Sequence, residues 1–248
     1  MSNPSIVGTI LRRELRNYFN SPVAYVFLVA FLLLVNVLTF LFGHYYEARQ
    51  ADLTVFFLWH PWVYLLLVPA ATMGLWAEER RTGTIELLLT LPVTLGQAIL
   101  GKFLAAWAFI GIALSLTFLI IPTTLFVLGG DLDLGVTFAG YLGSFLLAGA
   151  CVAIGTLTSA MTRSQVIGFV LALCFCLILN LIGFDPLVRL FSGWSPLLAD
   201  FVSQCSFLRH FDSLRRGVID ATDVAYYVGV MTVALTATHV VLNNRKAA

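Results

Sequence analysis

The sequence predicts an all-α integral membrane protein with six transmembrane helices, and two observations carry that prediction. The chain is 60% hydrophobic and only 11% charged, whereas a soluble domain carries about 25% charged residues to keep its surface wet. The few charges are also clustered. Residues 17–46, 53–77, 103–130, 134–162, 164–184 and 224–244 contain no Asp, Glu, Lys or Arg, and the shortest of these runs holds 21 residues. At about 1.5 Å of rise per residue, each run can cross a hydrocarbon core of about 30 Å as a helix. A membrane barrel is excluded because its strands alternate polar and apolar residues. Residues 27–35, Phe-Leu-Val-Ala-Phe-Leu-Leu-Leu-Val, show no alternation.

The elements follow in order. Residues 5–20 form an amphipathic helix, with Ile6, Val7, Ile10, Leu11, Leu15, Tyr18 and Phe19 on one arc and Arg12, Arg13 and Arg16 on the other. Such a helix lies in the headgroup layer, with its arginines toward anionic lipid. Glu14 falls inside the apolar arc and calls for a basic partner. Asn20-Ser21-Pro22 breaks the chain before the first span, 23–43. The second span, 55–77, contains Pro61 and Pro69, which are tolerated where neighbouring helices satisfy the freed carbonyls. The third, 99–128, is long enough to tilt or to kink at Pro122. The fourth, 136–160, carries Gly140, Gly143, Ser144, Ala148, Gly149, Ala153, Gly155 and Ser159, small residues that let helix backbones approach closely in lipid. The fifth and sixth cover 165–183 and 224–243. Together they form a single transmembrane domain over 1–248, with a cytoplasmic segment at 78–93 and an outer loop at 184–223.

Lys and Arg set the orientation. With both termini in the cytoplasm, nine basic residues lie inside (Arg12, Arg13, Arg16, Arg80, Arg81, Lys102, Arg163, Arg245, Lys246) and five outside. No signal peptide is expected, because Met1-Ser2-Asn3-Pro4 leads into no short apolar core with a cleavage site. A net charge of +1 without a basic tract offers nothing to nucleic acid.

The chemical motifs are few. Gly96-Gln-Ala-Ile-Leu-Gly101-Lys102-Phe103 fits most of a phosphate-binding loop, but Phe103 stands where the magnesium-binding hydroxyl belongs, and no strand precedes it. Lys102 therefore reads as a lysine at the water–lipid boundary, and the chain as lacking an ATPase of its own. Cys174 and Cys176 point about 200° apart on one helix and cannot jointly chelate a metal. His44, His60, His210 and His239 have no ligand spacing. His60 sits beside Trp59 and Trp62, where an aromatic belt is expected. No acid or base falls in the middle of a span, where a proton- or sodium-coupled carrier keeps ionisable groups. Nor is there a nucleophile–base pair or a carboxylate pair for an intramembrane hydrolase. The expectation is no catalytic residue, no metal and no cofactor on this chain. Asn36 and Asn180 are the notable polar residues within spans, suited to helix–helix hydrogen bonds.

Residues 78–93, Glu-Glu-Arg-Arg-Thr-Gly-Thr-Ile-Glu-Leu-Leu-Leu-Thr-Leu-Pro-Val, break at Gly83. A short helix then runs from Thr84 to Leu91 and stops at Pro92, with Ile85, Leu88 and Leu89 on one face. It is too short to span and too apolar to face water, so it should dock on another protein. In the outer loop, Asp185-Pro186 and Gly193-Trp-Ser-Pro196 are turn signals. Beyond them Leu197, Leu198, Phe201, Val202, Cys205 and Leu208 share one helical arc of about 140°.

Arg12-Arg-Glu-Leu with Tyr18-Phe-Asn-Ser-Pro22 resembles the opening of type-2 ABC exporter permeases. The 78–93 sequence followed by Gly101-Lys102 is similar to the signature of their first cytoplasmic loop. His210-Phe-Asp-Ser-Leu-Arg-Arg-Gly-Val-Ile-Asp220, with Asp223, Tyr226 and Tyr227, resembles the branch containing gliding-motility and nitrous-oxide-reductase-maturation permeases.

The resemblance implies a bacterial inner-membrane exporter subunit with two permease copies or homologues. A separate ATPase pair would hold ATP and Mg and grip the 78–93 segment. Membrane lipid and an accessory membrane or periplasmic protein complete the partners it suggests. The ATPase-contact residues are then Glu78, Glu79, Arg80, Arg81, Gly83, Thr84, Ile85, Glu86 and Leu88. The helix identities imply a transport path along Phe27, Phe31, Asn36, Trp62, Phe175 and Asn180. The outer loop, which folds back over the exit in the family, implies a gate at Leu197, Phe201 and Leu208. The rival readings are a structural anchor or force-transmitting subunit of a complex, a secondary transporter or channel, and a membrane enzyme.

Overall fold

The computed structural model describes residues 4–43, 45, 52–84, 93–128, 132–184, 188–189, 200 and 202–244. Every element among them is helical, in line with the predicted fold class. Four helical stretches are long and apolar enough to cross a membrane: Ala24–Phe42, Leu95–Val127, Leu134–Met161 and Ala221–Asn244. The segment read as a fifth span is a shorter apolar helix, Gln165–Leu181.

Helix α1 (Pro4–Asn20) is the amphipathic element, and α2 (Pro22–Val37) continues into a π-turn, Leu38–Phe42. The segment read as one second span is three helices: α3 (Thr54–Leu58), α4 (His60–Thr72) and α5 (Gly74–Thr82). Pro61 lies in the first turn of α4 and Pro69 inside it; proline removes a backbone donor and crowds the preceding turn. Helix α6 (Leu95–Leu116) passes through a 3₁₀ turn, Thr117–Leu119, into α7 (Ile120–Leu128), which contains Pro122. It begins four residues before the predicted 99, because Thr94 and Gln97 form a reciprocal capping box that satisfies two N-terminal donors. Helix α8 (Leu134–Met161) is capped by the Asp133 carboxylate, which accepts from the amides of Gly135 and Val136. Helix α9 (Gln165–Leu181), α10 (Phe207–Arg215) and α11 (Ala221–Asn244) complete the described helices.

The core is organised around α8, which packs against α4, α5, α6, α9, α10 and α11. Its small residues make this possible. A Cβ on Gly140 would meet the Phe57 ring at 2.3 Å, one on Gly143 would meet Leu214 at 2.8 Å, and one on Gly149 would meet Met231 at 2.5 Å. Each neighbour sits where a side chain would otherwise be, and close packing of this kind holds helices together in lipid. Aromatic rings fill the space between α2, α4 and α6. Phe27 lies 5.2 Å from Phe109 and 6.4 Å from Phe31, which stacks on Tyr64 at 5.7 Å.

Candidate functional site

The 78–93 segment starts from α5, so the site is built from the foot of the broken second span. The chain turns at Met73, and Ser159 of α8 repairs that break. Its hydroxyl donates to the Met73 carbonyl at 2.7 Å and accepts from the amides of Trp76 at 3.0 Å and Ala77 at 3.1 Å. Backbone groups freed at a break inside a membrane bundle require such a partner. One turn up α8, Gly155 lets Thr72 approach so closely that a Cβ there would lie 2.0 Å from the threonine oxygen.

The four charged residues of α5 point different ways. Arg80 donates to the carbonyls of Ala160 at 2.6 Å and Thr162 at 3.2 Å, closing the C-terminus of α8. Cations at a helix C-terminus complement its dipole. Glu78 accepts from Arg81 at 2.6 Å and from the Gln165 amide of α9. The Arg81 hydrogen bond holds the Glu78 carboxyl below its ordinary pKa. The sign follows: this exposed link is intact at neutral pH and is lost only as the pH falls below the usual carboxylate range. Gly83 ends α5 in the left-handed conformation, φ 75°, which glycine adopts without a Cβ penalty. Thr84 bonds back to Thr82 at 3.0 Å. Ile85, Glu86 and Leu88, and the short helix read over 84–91 beyond Thr84, lie outside the described residues.

Glu79 turns inward. It accepts from Lys102 at 2.8 Å, and the same ammonium donates to the Leu75 carbonyl at 3.0 Å and lies 3.7 Å from Glu14 of α1. Lys102 is 3% exposed and sits 5.2 Å over the Trp76 ring. The lysine read as a boundary residue is therefore a buried ammonium whose donors face three acceptors. Together with Arg13, which donates to the same Glu14 oxygen at 2.7 Å, it supplies the basic partners that Glu14 called for. Ile10 of α1 rests on Gly101, where a Cβ would come within 2.6 Å. The Gly101-Lys102 pair thus serves helix packing. The other end of α1 is fixed by the Tyr18 hydroxyl, which donates to the Ala71 carbonyl at 2.9 Å, and by the Tyr18 ring stacked on Phe109 at 4.9 Å. Burial, with the Glu14 charge adding, pushes the Tyr18 phenol up from its ordinary pKa. A groove of about 590 Å³ opens here, walled by Tyr18, Phe27, Leu67, Ala71, Phe109 and Gln165.

The residues implied for a transport path are not gathered together within this chain. Phe27 and Phe31 are buried in its aromatic core. Asn36 donates to the Leu32 carbonyl of its own helix at 2.7 Å. Trp62 and Phe175 face outward, 38% and 47% exposed. Asn180 is buried, and neither amide atom has a hydrogen-bond partner.

Of the residues implied for a gate, Leu197 and Phe201 lie outside the described residues. The single arc expected to run to Leu208 does not continue: the helix stops at Cys205, and α10 starts afresh at Phe207 because the Ser206 hydroxyl caps the Arg209 amide. Leu208 is only half-buried, and the face of α10 that packs inward is Phe207, His210, Phe211 and Leu214. His210 bonds Asp223 at 2.7 Å through Nδ1 and the Gln204 carbonyl at 2.9 Å through Nε2, and it stacks on Tyr226 at 4.0 Å. Sequence reasoning placed His210 and Asp223 in one segment without pairing them. The Ser206 cap was a readable signal, and the pairing was not.

An apolar helical bundle with a charged, internally braced foot defines a multi-pass membrane subunit. The sequence model of the ABC-2 family transporter protein matches residues 48–247, and the chain belongs to that family. It is a membrane subunit of an ABC transporter, a permease rather than the ATPase. No curated protein matches it.

Proposed function

We propose that this chain is an export permease of the bacterial inner membrane, with six spans and both termini in the cytoplasm. A separate ATPase pair closes on ATP and pushes residues 78–93, and a second permease copy or homologue completes the pore. ATP and Mg belong to that partner. The branch resemblance at 210–227 stays part of this reading. The observation that carries it is the bracing of α5. Ser159, Arg80, Gln165 and Lys102 tie the root of this segment to α8, α9 and α6, so force applied there reaches the bundle without being lost in a hinge. Glu79 and Arg80 act inward on this view, as braces. Glu78 and Arg81 stand at the exposed end with Gly83 and Thr84. Ile85, Glu86 and Leu88 supply the contact with the ATPase.

Two experiments test it. In a cysteine-free chain, single cysteines at Thr82 and Asn244 react with an impermeant thiol reagent only after the membrane is opened, and one at Gly130 reacts in intact spheroplasts. Labelling of Thr82 from outside would overturn the topology. Purified from its native membrane, the chain should bring down a soluble protein with a Walker loop, and should hydrolyse no ATP without it. Glu86→Arg or Leu88→Asp should leave the permease in the membrane and abolish ATP turnover coupled to it, since an unpaired buried charge costs about 3–5 kcal/mol. Wild-type turnover from both variants would place the ATPase elsewhere.

A further inference from the structure

We propose that Lys102 is a positioning residue that locks α1 to α5, so that the interfacial helix moves with the root of the 78–93 segment as one body. The inference rests on the reading that this segment receives the stroke of an ATPase. Three features carry it. The ammonium is almost wholly buried, and it bridges carboxylates from two other helices, Glu79 at 2.8 Å and Glu14 at 3.7 Å. Its third bond goes to the Leu75 carbonyl, at the turn where α5 begins. A buried ion pair adds little net stability, so the contribution assigned to this one is geometry, which an apolar residue of the same length would not specify. Tyr18 and Ile10 hold α1 against α4 and α6, but neither touches α5 by charge. Lys102 ion-pairs with both helices, through Glu14 of α1 and Glu79 of α5. The far oxygen of Glu79 has no partner in its buried position, so losing the ammonium would leave that carboxylate wholly unsatisfied.

The test measures the distance between spin labels at Arg12→Cys and Thr82→Cys, both exposed, with the four native cysteines replaced by alanine. The chain in lipid nanodiscs should give one narrow distance, kept by Lys102→Arg. Lys102→Met, which preserves length, should lose it to a broad distribution. The triple variant Glu14→Gln, Glu79→Gln, Lys102→Met removes the three charges of the bridge and leaves no carboxylates to repel each other, and should be as broad. A narrow wild-type distance from the triple variant would show that packing alone joins the helices, and would overturn the proposal. Should the Lys102 variants fail to reach the membrane, the native chain with its copurified ATPase decides. ATP trapping should shift the distance from Thr82 to Asn244 and leave that from Arg12 to Thr82 unchanged, and a change in the latter overturns the lock. Failure to recover any ATPase would remove the coupling reading, while the label widths in the chain alone would still report on Lys102.

Discussion

Gly155→Val is expected to leave no monodisperse protein on size exclusion in mild detergent, and Gly155→Ala to lower the thermal midpoint clearly. The reason is the crossing of α8 and α4. A Cβ on residue 155 would stand 2.0 Å from the Thr72 oxygen and 2.7 Å from its Cβ. Rotating the threonine side chain moves the oxygen but not the Cβ, so the backbones must separate. Thr72 is fully buried and its hydroxyl already bonds the Val68 carbonyl at 2.9 Å, which leaves it no free rotamer. Overpacking of this kind costs about 1–3 kcal/mol for a methyl group and more for a branched side chain. The damage should also reach α5, which starts two residues beyond Thr72 and depends on Ser159, one turn from Gly155, for its first hydrogen bonds. Thr72→Gly in the Gly155→Ala background should restore most of the midpoint, less the cost of about 1 kcal/mol for glycine in a helix. A Gly155→Val protein that elutes and melts like the wild type would mean that this crossing is loose.

Local signals and non-local ones separate cleanly in this chain. The bundle was legible, because composition and charge-free runs report on the solvent each segment meets. The small-residue face of 136–160 was legible too, since glycines at helical spacing have one main use in a membrane bundle. The breaks at Trp59 and Met73 were foreshadowed by Pro61 and Pro69, but the residue that makes the second break tolerable, Ser159, lies 86 positions away. Lys102 was misread for the same reason. Seen alone beside an apolar run, it looks like a boundary lysine, and its acceptors come from α1 and α5. Glu79 and Arg80 stand among the residues the resemblance implies for ATPase contact, and α5 brings them onto Lys102 and the end of α8, which no local pattern shows. Phe27 and Phe31 were placed on a path by helix identity, and their stacking on Phe109 and Tyr64 depends on packing that no local pattern encodes.

Asp223→Ala is expected to release α10 from the start of α11, read as rapid labelling of Cys205 by an impermeant thiol reagent in a chain where it is the sole cysteine. Asp223 is 6% exposed and holds His210 at 2.7 Å. The other ring nitrogen bonds Gln204, so the imidazole fastens both ends of the bend at Cys205–Ser206. Tyr226 and Tyr227 of α11 reinforce it, donating to the carbonyls of Cys205 at 2.5 Å and Phe207 at 2.9 Å. A buried hydrogen bond to a charged group is worth about 1.5–3 kcal/mol, comparable with the cost of opening a short helix locally. Removing it should raise the labelling rate of half-buried Cys205 by at least about tenfold, since about 1.4 kcal/mol is a factor of ten in an opening equilibrium. Asp223→Asn keeps an acceptor for His210 and should fall between the two. Leu214 still rests on Gly143 of α8 in the variant, and Phe207 and Phe211 remain buried, so the fold should survive and only the bend should open. If Cys205 labels as slowly in Asp223→Ala as in the wild type, the apolar seat alone holds α10, and the His210 pair is no clamp. If it labels fast, the bend at Cys205–Ser206 opens and Asp223 is its fastener.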